Sequence, residues 1–232
     1  MKRMLVTAIA MCLCVSAWAQ QNQRAGSQPN TLTSQEKQEG WILLFDGKTL
    51  DQWNVTPALA KVWKVGDGTI KTDAKAGSGT MLTKDEFSNF VIKAEFRAHP
   101  DINSGIILRS PRPQPAPAPG QKPTPAPGGP GYELQIRDKN PGNYSGGDFL
   151  TGSIVNVAKA PADVKILPGQ WNTIEATVDG DHFVVIYNGK KVADGHDSKR
   201  ASGAIGLQLA HPEDATEANI EFRNLKLRPL NK

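Results

Sequence analysis

Apolar and polar residues alternate along much of the chain, most regularly in the stretch 131–138, which reads G-Y-E-L-Q-I-R-D. A period of two is typical of a β-strand that buries one face. The polar positions are Glu133, Gln135 and Arg137, so a carboxylate, an amide and a guanidinium follow one another on the other face. Two interpretations fit this pattern equally well: a surface that binds a polar ligand, and an exposed sheet face with an incidental Glu–Arg pair.

Similar short segments recur from about residue 40 onward, and turn signals separate them. Alternation is clear at 90–96, and Asn188-Gly189 is the strongest hairpin signal because both positions of a type I′ turn need positive φ. No amphipathic helix longer than about two turns is indicated. The pattern predicts an all-β fold, a two-sheet antiparallel β-sandwich of about a dozen strands.

The first 19 residues have the pattern of a secretory signal peptide. A basic start is followed by the apolar run Leu5–Val15 and by Ala17-Trp18-Ala19, which predicts cleavage after Ala19. The apolar run is too short for an ordinary transmembrane helix. Both cysteines lie inside this segment, so the mature chain offers neither a thiol nucleophile nor Cys-ligated zinc. We expect a secreted or periplasmic protein without a transmembrane span.

Composition divides the rest of the chain into three parts. Residues 20–39 are polar and are expected to form a flexible leader, and residues 40–232 form the domain. The stretch 111–130 holds nine of the 17 prolines, which favours polyproline II and prevents donation to a sheet ladder. We expect this stretch to be an exposed excursion between two strands.

Charge and histidine spacing limit the classes of function. The full chain has 27 basic and 23 acidic residues, and removal of Lys2 and Arg3 leaves 25 against 23, a net charge of +2. No basic stripe with interleaved aromatics indicates a nucleic-acid partner. The histidines are scattered without the spacing of a metal-ligand set, so no metal site and no cofactor are predicted. A divalent cation such as Mg²⁺ or Ca²⁺ would have to use oxygen ligands, and His211 with a carboxylate is an alternative that the spacing does not support.

Six motifs in order resemble the 3-keto-disaccharide hydrolase domain family, over roughly residues 40–230. They are Leu44-Phe45-Asp46-Gly47-Lys48-Thr49-Leu50 with Trp53, Asn103-Ser104-Gly105-Ile106 with Arg109, Tyr132-Glu133-Leu134-Gln135-Ile136 with Asp138, Trp171-Asn172 with Asn188-Gly189, Ile205-Gly206-Leu207-Gln208, and Phe222-Arg223-Asn224. The resemblance implies a concanavalin A-like (LamG-like) jelly roll that acts on sugars oxidised at C3. The chain departs from the family in its long proline-rich stretch. It also has Val155, in the predicted short strand 152–155, where a Tyr is expected.

A 3-keto glycoside can be cleaved by elimination, because the C3 carbonyl acidifies the hydrogen at C2. Such a site needs a base near C2, a donor or cation for the enolate oxygen, and an acid for the leaving group. With the resemblance, Glu133 is the candidate base and Arg109 the candidate enolate clamp, and Asp138 and His211 are further candidate catalytic residues. The candidate substrate-binding residues are Asn103, Ser104, Gln135, Arg137 and Gln208. Strand alternation places Asn103, Ile107 and Arg109 on one face, which can coincide with the polar face that holds Glu133.

Two other functions are weighed against this one. An ordinary retaining glycosidase needs a pair of carboxylates, whereas Glu133 is followed at alternating positions by Gln135 and Arg137. A non-catalytic carbohydrate-binding, lectin-like module remains the alternative, because jelly rolls serve both functions. Either function implies an oligosaccharide or glycoside as the partner. The tryptophans could stack on sugars, although core packing is the commoner use of such residues.

Overall fold

The computed structural model describes residues 28–112, 130–139, 148–210 and 218–230. The predicted signal peptide, the first part of the leader, most of the proline-rich stretch and His211 lie outside these residues. Within them there are two short α-helices, α1 (Ser34–Gln38) and α2 (Leu59–Val62), one 3₁₀ turn (Ala74–Ala76) and thirteen strands. The strands are β1 (Ile42–Leu43), β2 (Trp53–Asn54), β3 (Trp63–Gly66), β4 (Thr69–Thr72), β5 (Gly79–Phe87), β6 (Phe90–Ala98), β7 (Ser104–Ser110), β8 (Tyr132–Ile136), β9 (Asn172–Asp179), β10 (His182–Tyr187), β11 (Lys190–His196), β12 (Gly203–Leu209) and β13 (Ile220–Pro229).

The strands form two antiparallel sheets. One has eight strands in the order β11-β10-β9-β6-β13-β4-β3, with β1 also paired to β13, and the other has five in the order β2-β5-β12-β7-β8. Every strand pairing among the described residues is antiparallel. The predicted fold class, an all-β antiparallel two-sheet sandwich, is therefore confirmed.

The core consists of the apolar positions of the alternating pattern, which face each other between the sheets. In β8, Leu134 and Ile136 are fully buried, and in β10 Phe183 is fully buried too. Trp53 and Trp63 belong to this core, and the indole of Trp53 donates to the carbonyl of Leu44 at 2.7 Å. Most of the apolar alternation is thus used for packing, which leaves the outer faces of the sheets for polar chemistry.

The stretch 152–155, predicted to be a short strand, is instead an irregular segment along the edge of β8. It makes two isolated bridges, both at Ile154, one to Leu134 of β8 and one to Ala158. Val155 also donates to the carbonyl of Glu133 at 2.9 Å. Positive φ at Gly152 and at Asn156 prevents a longer extended run. The segment nevertheless satisfies backbone groups of β8 that would otherwise be an open sheet edge.

The second half of the predicted flexible leader is part of the fold. Asn30 is buried and forms reciprocal hydrogen bonds with Asn224 of β13, at 2.6 and 2.8 Å. Thr33 and Glu36 form a capping box at the start of α1, and Glu36 also pairs with Lys226. The expectation of a flexible leader is therefore wrong for residues 28–39, because these side chains fix the segment to the larger sheet. Among the described residues, no helix is long and apolar enough to cross a membrane.

Candidate active site on the five-stranded sheet

The strand register brings polar side chains of three neighbouring strands together on the outer face of the five-stranded sheet. Gln135 of β8 pairs with Gly105 of β7, and Gly105 pairs with Gln208 of β12. Glu133 pairs with Ile107 in the next row. The intervening residues point the other way and are buried in the core, among them Leu134, Ile106 and Leu207. We call the outward-facing set the Glu133 face; it consists of Asn103, Gly105, Ile107, Glu133, Gln135, Arg137 and Gln208.

The side chain of Glu133 extends across β7 at Gly105. A Cβ at position 105 would lie 3.1 Å from both Cγ and Oε1 of Glu133 and 3.0 Å from the carbonyl oxygen of Leu134. A side chain at position 105 would therefore displace the carboxylate. Glycine is needed here for close approach. Gly105 was present in the sequence motif, but its role becomes visible only through the register of β7 and β8.

Burial dominates the electrostatics of Glu133. Loss of solvent raises the pKa of this carboxyl above its ordinary value, while the positive charge of Arg137 and a hydrogen bond from the Gln208 side chain lower it in part. The net direction is upward. A carboxylate with a raised pKa is a stronger base than an exposed one, which suits proton abstraction near neutral pH.

The polar neighbours of Glu133 are themselves largely buried. Asn103, Gln135 and Arg137 are each less than a tenth exposed. Gln208 donates towards Glu133, and its Oε1 is buried without a hydrogen-bond partner among the described residues. A buried amide oxygen without a partner costs free energy unless a ligand or water supplies a donor, so this atom marks a place where a hydroxyl group could bind.

Ser104 does not face this site. It is fully buried on the core side of β7, where it pairs with Ile136, and its hydroxyl donates to the carbonyl of Gln208. The prediction that Ser104 binds substrate directly is contradicted by this position. The hydroxyl instead connects β7 to β12 and so helps to position Gln208.

Arg109 also lies away from Glu133, because a β-bulge inverts the alternation of β7. Gly206 pairs with Ile107 and Ala204 pairs with Ser110, so Leu108 and Arg109 together lie opposite one residue of β12. Arg109 has a φ of 53°, which is rare for a residue with a side chain. The extra residue turns the guanidinium to the core side, and the expectation that it shares a face with Glu133 is wrong.

Four of the five N–H donors of the Arg109 guanidinium are bonded to protein oxygens. Nε donates to Ser88 O at 2.7 Å, Nη1 donates at 2.8 Å to both Gly180 O and Arg200 O, and Nη2 donates to Asn89 Oδ1 at 3.2 Å. Its Cζ lies 5.6 Å from the ring centroid of Phe183. We call this set the Arg109 cluster. It connects loops at one end of the sandwich, and Arg137 is the guanidinium that lies near Glu133.

Asp138, another candidate, holds the chain that follows β8. Its Oδ1 accepts from the Thr151 hydroxyl at 2.7 Å, and its Oδ2 accepts from the backbone N–H of Ile166 at 2.8 Å. Both carboxylate oxygens therefore bind residues of the chain that connects β8 to β9. His211 lies outside the described residues, so its position relative to Glu133 stays a prediction.

A polar cavity of about 480 Å³ lies on the outer face of the eight-stranded sheet. Its arginines have partners in the protein: Arg97 contacts Glu221 at 2.8 Å, and Arg223 contacts Glu95 at 2.7 Å while its Cζ lies 3.9 Å from the ring centroid of Trp171. Ion pairs of this kind are typical of a solvated sheet face. The Glu133 face is therefore the stronger candidate for chemistry.

Comparison with known protein families is relevant to the Glu133 face, because the matched range includes all of its residues. Residues 40–228 match the family described as the 3-keto-alpha-glucoside-1,2-lyase-like domain. The chain belongs to this family. Membership supports an activity on glycosides, and Glu133, Gln135, Arg137 and Gln208 all lie within the matched range.

One curated relative is named 3-keto-disaccharide hydrolase and comes from Bacteroides thetaiotaomicron. It is 30% identical over 77 residues, which are 29% of this chain and 27% of that protein. The chain therefore matches little more than a quarter of the length of that relative.

Solved structures share the fold. Two provisionally assigned glycosyl hydrolases from Parabacteroides distasonis are similar to this chain. The first has 23% identity and a TM-score of 0.68, over 88% of this chain and 100% of its own. The second has 25% identity and a TM-score of 0.57, over 82% and 99%. The lumenal domain of VIP36, solved with bound Ca²⁺ and a mannose-containing glycan, has 11% identity and a TM-score of 0.52, over 84% and 90%. The fold is thus shared by provisionally assigned glycosyl hydrolases and by a glycan-bound domain, so the residues of the site must decide between catalysis and binding.

Proposed function

We propose that this protein cleaves glycosides whose sugar ring carries a ketone at C3, with Glu133 as the base that removes the proton from C2. The observation that carries the proposal is the position of the Glu133 carboxylate. It is half-buried above Gly105, its pKa is raised by burial, and it has an amide and a guanidinium as polar neighbours. The family to which the chain belongs supports the same substrate class.

The proposed reaction is an elimination followed by hydration. Glu133 takes the C2 proton, and the electron pair moves into an enolate whose negative oxygen is the former C3 carbonyl. The C1–O bond then breaks, and the aglycone leaves with a proton. As this bond breaks, the electron pair of the enolate forms the C1–C2 double bond and the C3 ketone is restored. Water then adds across the C1–C2 double bond, with its OH on C1 and a proton on C2, which gives the free 3-keto sugar. Each step is within reach of general acid–base and electrostatic catalysis.

The neighbours of Glu133 take distinct roles in this proposal. Arg137 supplies positive charge near the carboxylate and is the candidate for stabilising the enolate oxygen. Gln208, with an Oε1 that lacks a partner among the described residues, is the candidate for accepting from a sugar hydroxyl. Asn103 and Gln135 add buried amides on the same face. The predicted signal peptide in residues 1–19 supports action outside the cytoplasm.

The same geometry argues against ordinary double-displacement hydrolysis. That mechanism needs a second carboxylate about 5 Å from the first. The described residues that pair around Glu133 across the sheet supply none; they are Gly105, Ile107, Gln135, Gly206 and Gln208. A substrate already activated by its ketone does not need the second carboxylate.

The test compares a 3-keto glycoside that carries a chromogenic aglycone with its unoxidised parent. The wild-type protein should release the aglycone from the keto substrate only. Glu133→Gln keeps the shape of the side chain and removes its basicity, so kcat should fall by about 10²–10⁴-fold with little change in KM. Glu175→Gln, a half-buried glutamate on the other sheet, is the matched control and should leave turnover unchanged.

Two results would contradict the proposal. If Glu133→Gln turns over within a few-fold of wild type, the base is another group, and Asp138 or His211 becomes the next candidate. If the wild-type protein binds the keto glycoside and never cleaves it, the chain is a carbohydrate-binding module.

A further inference from the structure

The hairpin of β10 and β11 brings two imidazoles and a carboxylate together on the outer face of the eight-stranded sheet. His182 and His196 are direct cross-strand partners, and Asp194 lies two residues before His196, on the same face. The two imidazole rings are stacked, with centroids 4.4 Å apart and planes 7° apart. His182 Nε2 lies 2.8 Å from Asp194 Oδ1. These three side chains, the His182 cluster, come from positions 12 and 14 residues apart in the sequence and meet only through the hairpin register.

The spacing of the three ligand atoms suits one metal ion. One nitrogen from each histidine and one oxygen of Asp194 all lie within 4.8 Å of one another. A tetrahedral zinc ion with bonds of about 2.0–2.1 Å holds its ligand atoms about 3.3 Å apart. Small rotations of the side chains would bring the three ligand atoms to this spacing, because the backbone already places the three groups around one point.

The backbone beneath the cluster is held firmly. β10 is paired on both sides, and Asp197 N donates to Asp181 O at 2.8 Å just beyond the His182–His196 pair. Gly195, between two of the ligands, faces the core, and a Cβ there would lie 2.9 Å from Cβ of Ala158. The strand therefore packs closely on its inner side, while the ligand side chains remain 41–62% exposed. A metal ion from solvent can reach them without unfolding the hairpin.

Two further charged groups orient the ligands. Asp181 Oδ1 lies 3.4 Å from His196 Nδ1, which is the arrangement in which a carboxylate fixes the tautomer of a metal-binding histidine. Lys191 Nζ lies 2.9 Å from Asp194 Oδ2 and so leaves Asp194 Oδ1 directed at His182. The cluster thus has both direct ligands and supporting groups.

We propose that His182, Asp194 and His196 bind one divalent transition-metal ion, with Zn²⁺ as the expected occupant and water in the remaining coordination position. Neutral imidazoles with one carboxylate favour Zn²⁺, Ni²⁺ or Cu²⁺ over the hard cations Mg²⁺ and Ca²⁺. The cluster lies on the sheet opposite to the Glu133 face, so the core of the sandwich separates it from the proposed glycoside chemistry. The proposal therefore does not depend on the proposed enzymatic function.

The test is calorimetric titration of the chelator-stripped full chain with ZnCl₂, and with MgCl₂ for comparison. We expect one saturable Zn²⁺ site and no heat of binding with Mg²⁺. The variants His182→Ala, Asp194→Asn and His196→Ala should each weaken Zn²⁺ binding at least ten-fold, and Asp181→Asn should weaken it about ten-fold through loss of the supporting carboxylate. All four side chains are substantially exposed, so the melting temperatures of the four variants should stay near that of the wild-type protein.

His99→Ala is the matched control. His99 is a half-exposed histidine whose Nδ1 lies 3.9 Å from Oδ2 of Asp101, but its contacts with the described part of the chain include no second imidazole. This variant, and His211→Ala outside the described residues, should keep wild-type Zn²⁺ affinity. Co²⁺ in place of Zn²⁺ should give the strong visible absorption of a four-coordinate ion in the wild type and lose it in His196→Ala.

Absence of saturable Zn²⁺ binding would overturn the proposal. So would binding that survives replacement of both His182 and His196 in a folded double variant, or binding that is abolished by His99→Ala or His211→Ala. In none of these cases is the conclusion about Glu133 affected, since that conclusion is measured by turnover of the keto glycoside.

Discussion

The Arg109 cluster and the Glu133 face each contain a charged side chain, on the neighbouring strands β7 and β8. The surroundings of the two charges differ. Arg109 is 1% exposed, and its guanidinium donates to three backbone carbonyls and one side-chain amide. Glu133 is half-buried, with a hydrogen bond from Gln208 and the nearby charge of Arg137. Burial lowers the pKa of Arg109 and raises the pKa of Glu133, so both charges are disfavoured by their surroundings.

The difference lies in which groups compensate each charge. A buried polar group costs little when the protein satisfies it and much when it does not. The four bonded donors of the Arg109 guanidinium could bind a substrate only by leaving their present partners without donors. In contrast, the Glu133 carboxylate and the buried Oε1 of Gln208 are incompletely satisfied by hydrogen-bond donors of the described residues. A ligand that supplies donors would therefore stabilise both. The comparison teaches that a saturated buried charge supports the fold, whereas an incompletely satisfied one is a candidate for function.

Arg109→Lys tests whether the Arg109 cluster supports the fold, and it should give the largest loss of stability. Lysine keeps the charge, but its three donors on a flexible stem cannot replace a planar fork, so several carbonyls lose their partners. Since hydrogen bonds to charged groups are each worth about 1.5–3 kcal/mol, we expect a loss of at least about 3 kcal/mol. For a domain of this length that lowers the melting temperature by roughly 6–12 °C. Urea and thermal unfolding would measure it.

Arg97→Lys is the matched control for this substitution. Arg97 pairs with Glu221 at 2.8 Å on the exposed sheet face, and its side chain is 43% exposed, so its replacement should cost less than about 1 kcal/mol. If Arg109→Lys keeps the wild-type melting temperature and loses only turnover, Arg109 belongs to the active site. The distinction between the two regions then fails.

Local sequence was sufficient for the fold. The Asn188-Gly189 turn predicted between β10 and β11 is confirmed, with φ of 46° and 80° at the two residues. Alternation identified the buried face of β8 because period-two patterning depends only on neighbouring residues. Residues 28–39 escaped this reasoning, since their attachment depends on Asn224, which lies 194 residues from Asn30 in the sequence.

The site was only partly predictable for a related reason. The alternation of β8 indicated that Glu133 and Gln135 share a face, whereas the place of Gln208 beside them follows only from the register of β7 with β8 and β12. The position of Arg109 was predicted wrongly because a bulge is set by the register against β12, and one extra residue reverses every later side chain. The His182 cluster was not predicted either, because its three side chains meet only through the register between β10 and β11.

Glu133→Gln tests, through its effect on stability, whether the charge of Glu133 is incompletely compensated in the fold. The folded-state pKa of Glu133 is raised, so its ionised form is disfavoured in the fold and its protonated form is not. The wild type therefore carries a stability cost at pH 7 that disappears as the pH falls below the ordinary value of 4.5. We expect the variant to be more stable than wild type by about 0.5–2 kcal/mol at pH 7 and to show no gain near pH 4.

Chemical unfolding at several pH values would measure this dependence. A gain at pH 7 together with lost turnover would mark Glu133 as a residue kept for function at the expense of stability. A variant that is less stable than wild type at pH 7 would show that Arg137 and Gln208 compensate the carboxylate fully. Glu133 would then resemble Arg109, and the contrast between the two regions would disappear.

Glu175→Gln should have the smallest effect, because this half-buried carboxylate is paired with a partly exposed lysine on a solvated sheet face. Glu175 contacts Lys93 at 3.0 Å on the outer face of the eight-stranded sheet, with side-chain exposures of 27% and 43%. Exposed pairs of this kind contribute about 0.2–1 kcal/mol and are screened by salt. We expect a loss of at most about 0.5 kcal/mol at low salt and nearly none in 1 M NaCl, with unchanged turnover of the keto glycoside. Unfolding at the two salt concentrations measures the difference. A large, salt-independent loss would mean that water does not screen this face, and the paired charges around the 480 Å³ cavity would then have to be regarded as part of the folded core.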